Sequence, residues 1–143
     1  TNECAVVEMN DGSLLLNMRS YAGKNRRALA RSTDGGLTWG EFRLDDALIE
    51  PVCQASFIRY DRKRLLFSNP ASTKRERMTV RLSRDEAGTW PVSRVLHEGP
   101  AAYSALGVLK DGSVGCLYER GQKSASETIV FARFPVPWLE SGA

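Results

Sequence analysis

Glu3, Arg19, Asn69, Arg75, Tyr103 and Glu119 are the residues of this sequence whose types, brought together, would do chemistry. Arginine grips a carboxylate through two parallel hydrogen bonds, so two arginines beside a tyrosine and a carboxylate suit an anionic ligand. Singly, each has a plainer role. Arg19 serves as an edge ion pair, Tyr103 as a packed aromatic with a wet hydroxyl, and Glu3 as an exposed residue near the chain start. Arg75 reads as one solvated charge among several in Lys74-Arg75-Glu76-Arg77. Only a fold that puts them on one surface raises them above these roles.

The sequence carries a ruler for that question. Ser32-Thr33-Asp34-Gly35-Gly36-Leu37-Thr38-Trp39 recurs, in weaker form, as Ser83-Arg84-Asp85-Glu86-Ala87-Gly88-Thr89-Trp90, fifty-one residues on. Asp11-Gly12-Ser13 returns as Asp111-Gly112-Ser113 after one hundred residues, and Asp61 marks the midpoint. A fixed period of this length signals a repeat architecture. Each period reads as four short strands. The first has Glu3–Met9, Ser13–Arg19, Arg26–Ser32 and Gly40–Arg43, with a hairpin turn at Asn10-Asp11-Gly12. The second has Cys53–Tyr60, Arg64–Asn69, Arg77–Ser83 and Val92–Leu96. The third has Tyr103–Leu109, Ser113–Tyr118 and Thr128–Phe134; Pro135 and Pro137 break a fourth or confine it to an edge. No amphipathic helix is expected.

Four antiparallel strands at this spacing describe a propeller blade, and the expected fold is all-β. The alternative, a β-sandwich, has no need to repeat its turn chemistry at a fixed interval. Blades fall at approximately 1–51, 52–101 and 102–143. Propellers close with about four to eight blades, so three require completion by a further segment or by another chain.

The repeated octapeptide is the Asp-box, S-x-D-x-G-x-T-W. Its Ser and Asp can bond the turn's own backbone amides, and its Trp buries a large apolar face. Asp34 and Asp85 are therefore turn locks, not catalytic groups. If the innermost strands begin at Glu3, Cys53 and Tyr103, the antiparallel second strands end on the same rim at Arg19, Asn69 and Glu119. The loop holding Arg75 opens on that rim as well. The Asp-boxes follow the third strands and lie on the opposite rim.

The bulk figures exclude little but are consistent. A net charge of +3 argues against a nucleic-acid tail, and no apolar run reaches the length of a membrane span. Cys4, Cys53 and Cys116 sit in apolar runs without metal-ligand spacing, and are expected to be small core residues with free thiols. His97, the one histidine, is expected in a loop between Leu96 and Glu98-Gly99-Pro100, outside the chemistry.

At these residues the sequence resembles the bacterial and animal sialidases (exo-α-neuraminidases) with Asp-box, or BNR, repeats. The matching stretches run in order through Asn2–Glu8, Asp11–Arg19, Leu66–Pro70, Ala102–Ser104 and Leu117–Gly121, almost the whole chain. The resemblance implies a six-bladed β-propeller of which this chain is the C-terminal half. It implies Tyr103 as nucleophile, Glu3 as its general base, Arg19 and Arg75 as two of three arginines on the substrate carboxylate, and Glu119 as the carboxylate orienting the first arginine. That first arginine and the acid/base Asp belong to the family's N-terminal half. No metal or organic cofactor is implied. The implied partners are sialylated glycans and the missing half; the implied setting is secreted, periplasmic or lysosomal. Two other readings remain at this point: a sialoglycan-binding module, and a structural Asp-box domain without a site. A lectin has no need of both Tyr103 and Glu3, and a purely structural domain has none of Arg19 and Arg75.

Overall fold

The computed structural model describes residues 1–141 and is all-β: a four-stranded antiparallel sheet, and a six-stranded one that a long shared strand divides into two stacked parts, the second and third sheets. The first repeat forms a four-stranded sheet, β1 (Asn2–Glu8), β2 (Leu14–Arg19), β3 (Arg26–Ser32) and β4 (Arg43–Ile49), paired in that order. The second pairs β5 (Ser56–Asp61), β6 (Arg64–Pro70) and β7 (Glu76–Ser83) with the first part of β8 (Val92–Val108). The rest of β8 opens the third, followed by β9 (Val114–Arg120) and β10 (Thr128–Phe134).

Strand alternation explains the stacking. Each strand presents one row of side chains to each neighbouring sheet. Val7, Leu15, Leu29 and Leu48 of the first sheet meet Phe57, Leu65 and Phe67 of the second. The opposite face of the second, with Leu66, Met78, Val80 and Leu82, meets Val114, Cys116 and Tyr118 of the third.

Four expectations are corrected. The fourth strand of the first repeat begins at Arg43 rather than Gly40, because the Asp-box turn continues through Gly40, whose N–H bonds the Arg31 carbonyl at 2.8 Å. His97 is not in a loop but inside β8, a strand of 17 residues. Gly99-Pro100 does not break it, because β8 changes partner there: Pro100 is the last residue facing β7 and Ala101 the first facing β9. A five-residue helix, α1 (Val136–Glu140), follows β10; its proline falls in the first turn, where no intrahelical donor is needed. Val136 and Leu139 pack it into the second core. Cys53 and Cys116 are buried, but Cys4 is exposed, on the face of β1 turned away from the second sheet.

Both Asp-boxes fold alike. Asp34 accepts from Thr38 N–H and Thr38 hydroxyl at 2.9 and 2.6 Å, and Ser32 Oγ accepts from Gly36 N–H at 2.9 Å. Asp85, Thr89 and Ser83 repeat these bonds around Ala87. Gly35 and Gly36 take φ of +73° and +91°; Glu86 and Ala87 hold the same left-handed region at +57° and +64°. That strain is offset by what Glu86 gains. Its carboxylate accepts two bonds from Arg59, at 3.1 and 2.8 Å, and one from Asn10 N–H at 2.9 Å, tying the first repeat to the second.

The bonds from Thr38 and Ser32 hold the Asp34 carboxyl at about 2, against an ordinary 3.8, and bonds from Ser113 and Arg133 do the same for Asp111. A folded value below the unfolded one stabilises fully above pH 3.8, and the contribution is lost as pH falls toward 2. Melting temperature is therefore expected to drop through that window, and Asp34→Asn to flatten the drop. Circular dichroism melts decide it; an unchanged slope in the variant would contradict the lock.

Candidate active site

Tyr103 reaches the site from a bulge. The β8–β9 register slips between Ala101 and Ser104, which re-aims the side chain out of the ladder. Glu3 sits in a matching irregularity: the β1–β2 register slips between Asn2 and Ala5, and Glu3 takes φ +43°. Strain of this kind in a residue with a side chain collects at functional sites. Arg19, at the end of β2, is paired with Asn2, one residue from Glu3.

The two bulges bring together groups one hundred residues apart. The Tyr103 hydroxyl donates to Glu3 Oε1. Arg19 Nη1 lies 2.5 Å from the other oxygen, Glu3 Oε2, and 3.5 Å from the Tyr103 hydroxyl. Arg75 stands over the Tyr103 ring, its guanidinium carbon 5.8 Å from the centroid. Glu119 Oε2 accepts from the Tyr103 backbone N–H at 3.1 Å. Tyr103 keeps 36% of its surface open to solvent.

The electrostatics are those of a base and its acid. Burial pushes the Glu3 carboxyl up, but hydrogen bonds from Tyr103 and Arg19 outweigh it and leave it below the ordinary 4.5. The Tyr103 phenol is held above 10 because Glu3 accepts its proton's hydrogen bond, with burial adding to the effect. The resting state is thus a neutral phenol on an ionised carboxylate.

Five of the six residues singled out in the sequence converge on this rim: Glu3, Arg19, Arg75, Tyr103 and Glu119. Arg77, two positions from Arg75, turns away and pairs with Glu98 at 3.4 Å. Asn69 does not join them. It is fully buried, its Nδ2 donating to the Ile49 carbonyl at 2.8 Å and its Oδ1 accepting from Arg81 at 3.2 Å, so it braces the end of β6 from beneath. The Asp-boxes lie at the other end of the strands, beside the hairpin turn at Asn10.

The sequence reading missed a buried pair behind the site. Arg27 and Glu50 are 0% and 1% exposed and meet at 2.9 Å. Arg27 also donates to Asn17 Oδ1 and to the Cys53 carbonyl, and Glu50 Oε1 accepts from the N–H of Ser20, next to Arg19. A charged residue within the run Arg26–Ser32 reads as an edge position, and nothing local to Glu50 signals a partner. Gln54 was missed too: its side-chain amide accepts from Ser104 N–H and donates to the Ser104 carbonyl, both at 2.9 Å.

Sheets stacked at a fixed period with paired turn locks define a class of β-repeat protein. The chain belongs to the BNR repeat-like domain family, whose match covers residues 1–116. Its relatives are sialidases. It is 42% identical over 96% of its length to a sialidase of Micromonospora viridifaciens, of which it covers 22%. A Hadza microbial sialidase superposes with a TM-score of 0.80 at 36% identity, over 95% of this chain and 28% of that one. The intramolecular trans-sialidase of Ruminococcus gnavus superposes at 0.82 with 28% identity, over 96% and 33%. The chain thus spans between a fifth and a third of these relatives.

Proposed function

We propose that this chain is the C-terminal half of a six-bladed sialidase propeller, its three repeats being three blades at approximately 1–51, 52–101 and 102–143, and that the completed protein removes terminal sialic acid from glycoconjugates with retention. The observation that carries the reading is the Tyr103–Glu3 hydrogen bond, bordered by Arg19 and Arg75 on one open rim. Phenol is a weak nucleophile at neutral pH, and an adjacent base that takes its proton as attack proceeds is what such a nucleophile needs. Sialic acid carries a carboxylate on its anomeric carbon. Arg19 and Arg75 hold that carboxylate; Tyr103 Oη attacks the carbon, its proton passes to Glu3, and the aglycone leaves as the alcohol with a proton from the acid/base Asp of the other half. Water then breaks the tyrosyl bond. A substrate carboxylate that draws on Arg19 also takes positive charge away from Glu3, making Glu3 a stronger base when it is needed.

Completion by further blades is supported by the outer face of the third sheet. Leu117, Ile129 and Phe131 lie on one side of β9 and β10, turned away from the core with the second sheet, and are 47%, 69% and 56% exposed. An apolar face of this kind fits against another sheet. Glu119 is placed to orient an arginine arriving from there.

The test is release of 4-methylumbelliferone from its sialic acid conjugate by the 143-residue chain and by a six-bladed extension. Turnover is expected in the extension alone, because one arginine and the acid/base come from the other half. Robust turnover by the 143-residue chain would refute the half-site account. Silence in both with sialic acid still bound would favour a lectin.

A further inference from the structure

We propose that Gln54 is a positioning residue for the nucleophile, fixing Tyr103 through the peptide that follows it; this rests on the sialidase reading above. The bulge that aims Tyr103 outward removes Ala102 and Tyr103 from regular pairing with β9. A strand segment released in this way needs other partners for its backbone groups, or it moves. Side chains supply them. Glu119 takes the Tyr103 N–H at 3.1 Å. At Ser104, where β8 is back in register with Tyr118 of β9, Gln54 takes the N–H and donates to the carbonyl on the other edge of the strand, both at 2.9 Å, so a planar side-chain amide stands where a neighbouring strand's peptide would and fixes the residue at which the bulge ends. The Ser104 side chain is anchored as well, 2.7 Å from the Ser68 hydroxyl in a buried contact.

Gln54 reaches Ser104 from one period earlier in the chain, since the two occupy equivalent positions in the second and third repeats. Its clamp therefore acts between repeats, and Ser56 repeats the device two residues on by accepting from Leu106 N–H at 3.0 Å. A neutral amide is the side chain that does this without cost to the chemistry. A glutamate would keep the acceptor, lose the donor, and add negative charge to the pocket that Gln54 lines together with Tyr103.

The experiment is steady-state hydrolysis by the six-bladed protein, with Gln54→Met and Tyr103→Phe measured side by side. Misplacement of a reacting group by about 1 Å costs on the order of 10²-fold in rate, and Gln54→Met is expected to lose about that much in kcat. KM is expected to stay within about threefold, because the interaction is with Tyr103's backbone neighbour and not with substrate. Wild-type kcat in Gln54→Met, with Tyr103→Phe inactive, would overturn the positioning role and leave the sialidase reading intact. A raised KM at unchanged kcat would assign Gln54 to substrate binding and overturn it equally. An active Tyr103→Phe would instead sink the sialidase reading. Should Gln54→Met fail to fold, Gln54→Asn, whose amide is one methylene short of the Ser104 peptide, gives the same decision: a fall in kcat at unchanged KM supports the role, and an unaltered kcat ends it.

Discussion

Tyr103→Phe in the six-bladed protein is expected to lower kcat by more than about 10³-fold while the melting temperature stays near wild type. The substitution removes one oxygen from a side chain that is 36% exposed, so little packing is lost. The chemical loss is total for a covalent route, because the oxygen that forms the bond to the anomeric carbon is gone. Electrostatics explain why another residue does not substitute. A carboxylate nucleophile would approach the substrate's own carboxylate at a cost of about 4 kcal/mol at ~4 Å and an effective dielectric near 20. On the proposed reading Glu3, which accepts the Tyr103 proton's hydrogen bond, acts as base and not as nucleophile. Its replacement by glutamine is expected to lose less, about 10²–10⁴-fold, the range for a positioned base. The measurement is kcat on the fluorogenic sialoside, with circular dichroism as the folding control. A Tyr103→Phe protein that retains its rate would eliminate the nucleophile assignment.

Glu50→Gln is expected to destabilise the fold by about 3–5 kcal/mol, since it leaves the Arg27 charge buried without its counter-ion. Glutamine is nearly the same shape, so the loss isolates charge from packing. Arg27 has no exposed surface through which water could compensate. Burial already pushes its guanidinium down, and the Glu50 carboxylate is the principal influence opposing that. The effect also reaches the rim, because the same carboxylate accepts from Ser20 N–H and Cys53 N–H, fixing the segments beside Arg19 and before β5. Urea unfolding of wild type and variant measures it. A change below about 1 kcal/mol would place the pair in the class of exposed bridges that contribute little.

The meeting of Glu3 with Tyr103, and of Arg19 with Glu119's rim, was legible because a repeat converts sequence distance into position. Strand ends one period apart share a rim whatever lies between them. Arg75 and Arg77 are both exposed in one charged run, so residue type and exposure do not part them; the resemblance pointed to Arg75, and three-dimensional direction agrees, with Arg75 over the Tyr103 ring and Arg77 on Glu98. Asn69 shows the limit of the same logic: a strand end specifies height on the sheet but not whether the side chain points outward or in, and here it serves Ile49 and Arg81. Gly99-Pro100 looked like a stop because local chemistry cannot report that a strand exchanges one neighbour for another. The Arg27–Glu50 pair was invisible for a related reason, as its members are twenty-three residues apart and neither breaks its local pattern.

The unbroken run of β8 through two sheets has a mechanical consequence. A strand shared in this way leaves no slack between the second and third repeats, which must bend or melt as one stiff body. The first repeat joins that body through the segment between β4 and β5, held by Arg27 on Glu50 and on the Cys53 carbonyl, and at the other end of the strands through the contacts of Glu86 with Asn10 and Arg59. Glu3 rides on one side of this hinge line and Tyr103 on the other. The stiffness of the joint, more than that of either body, sets how steady the distance between Glu3 and Tyr103 remains.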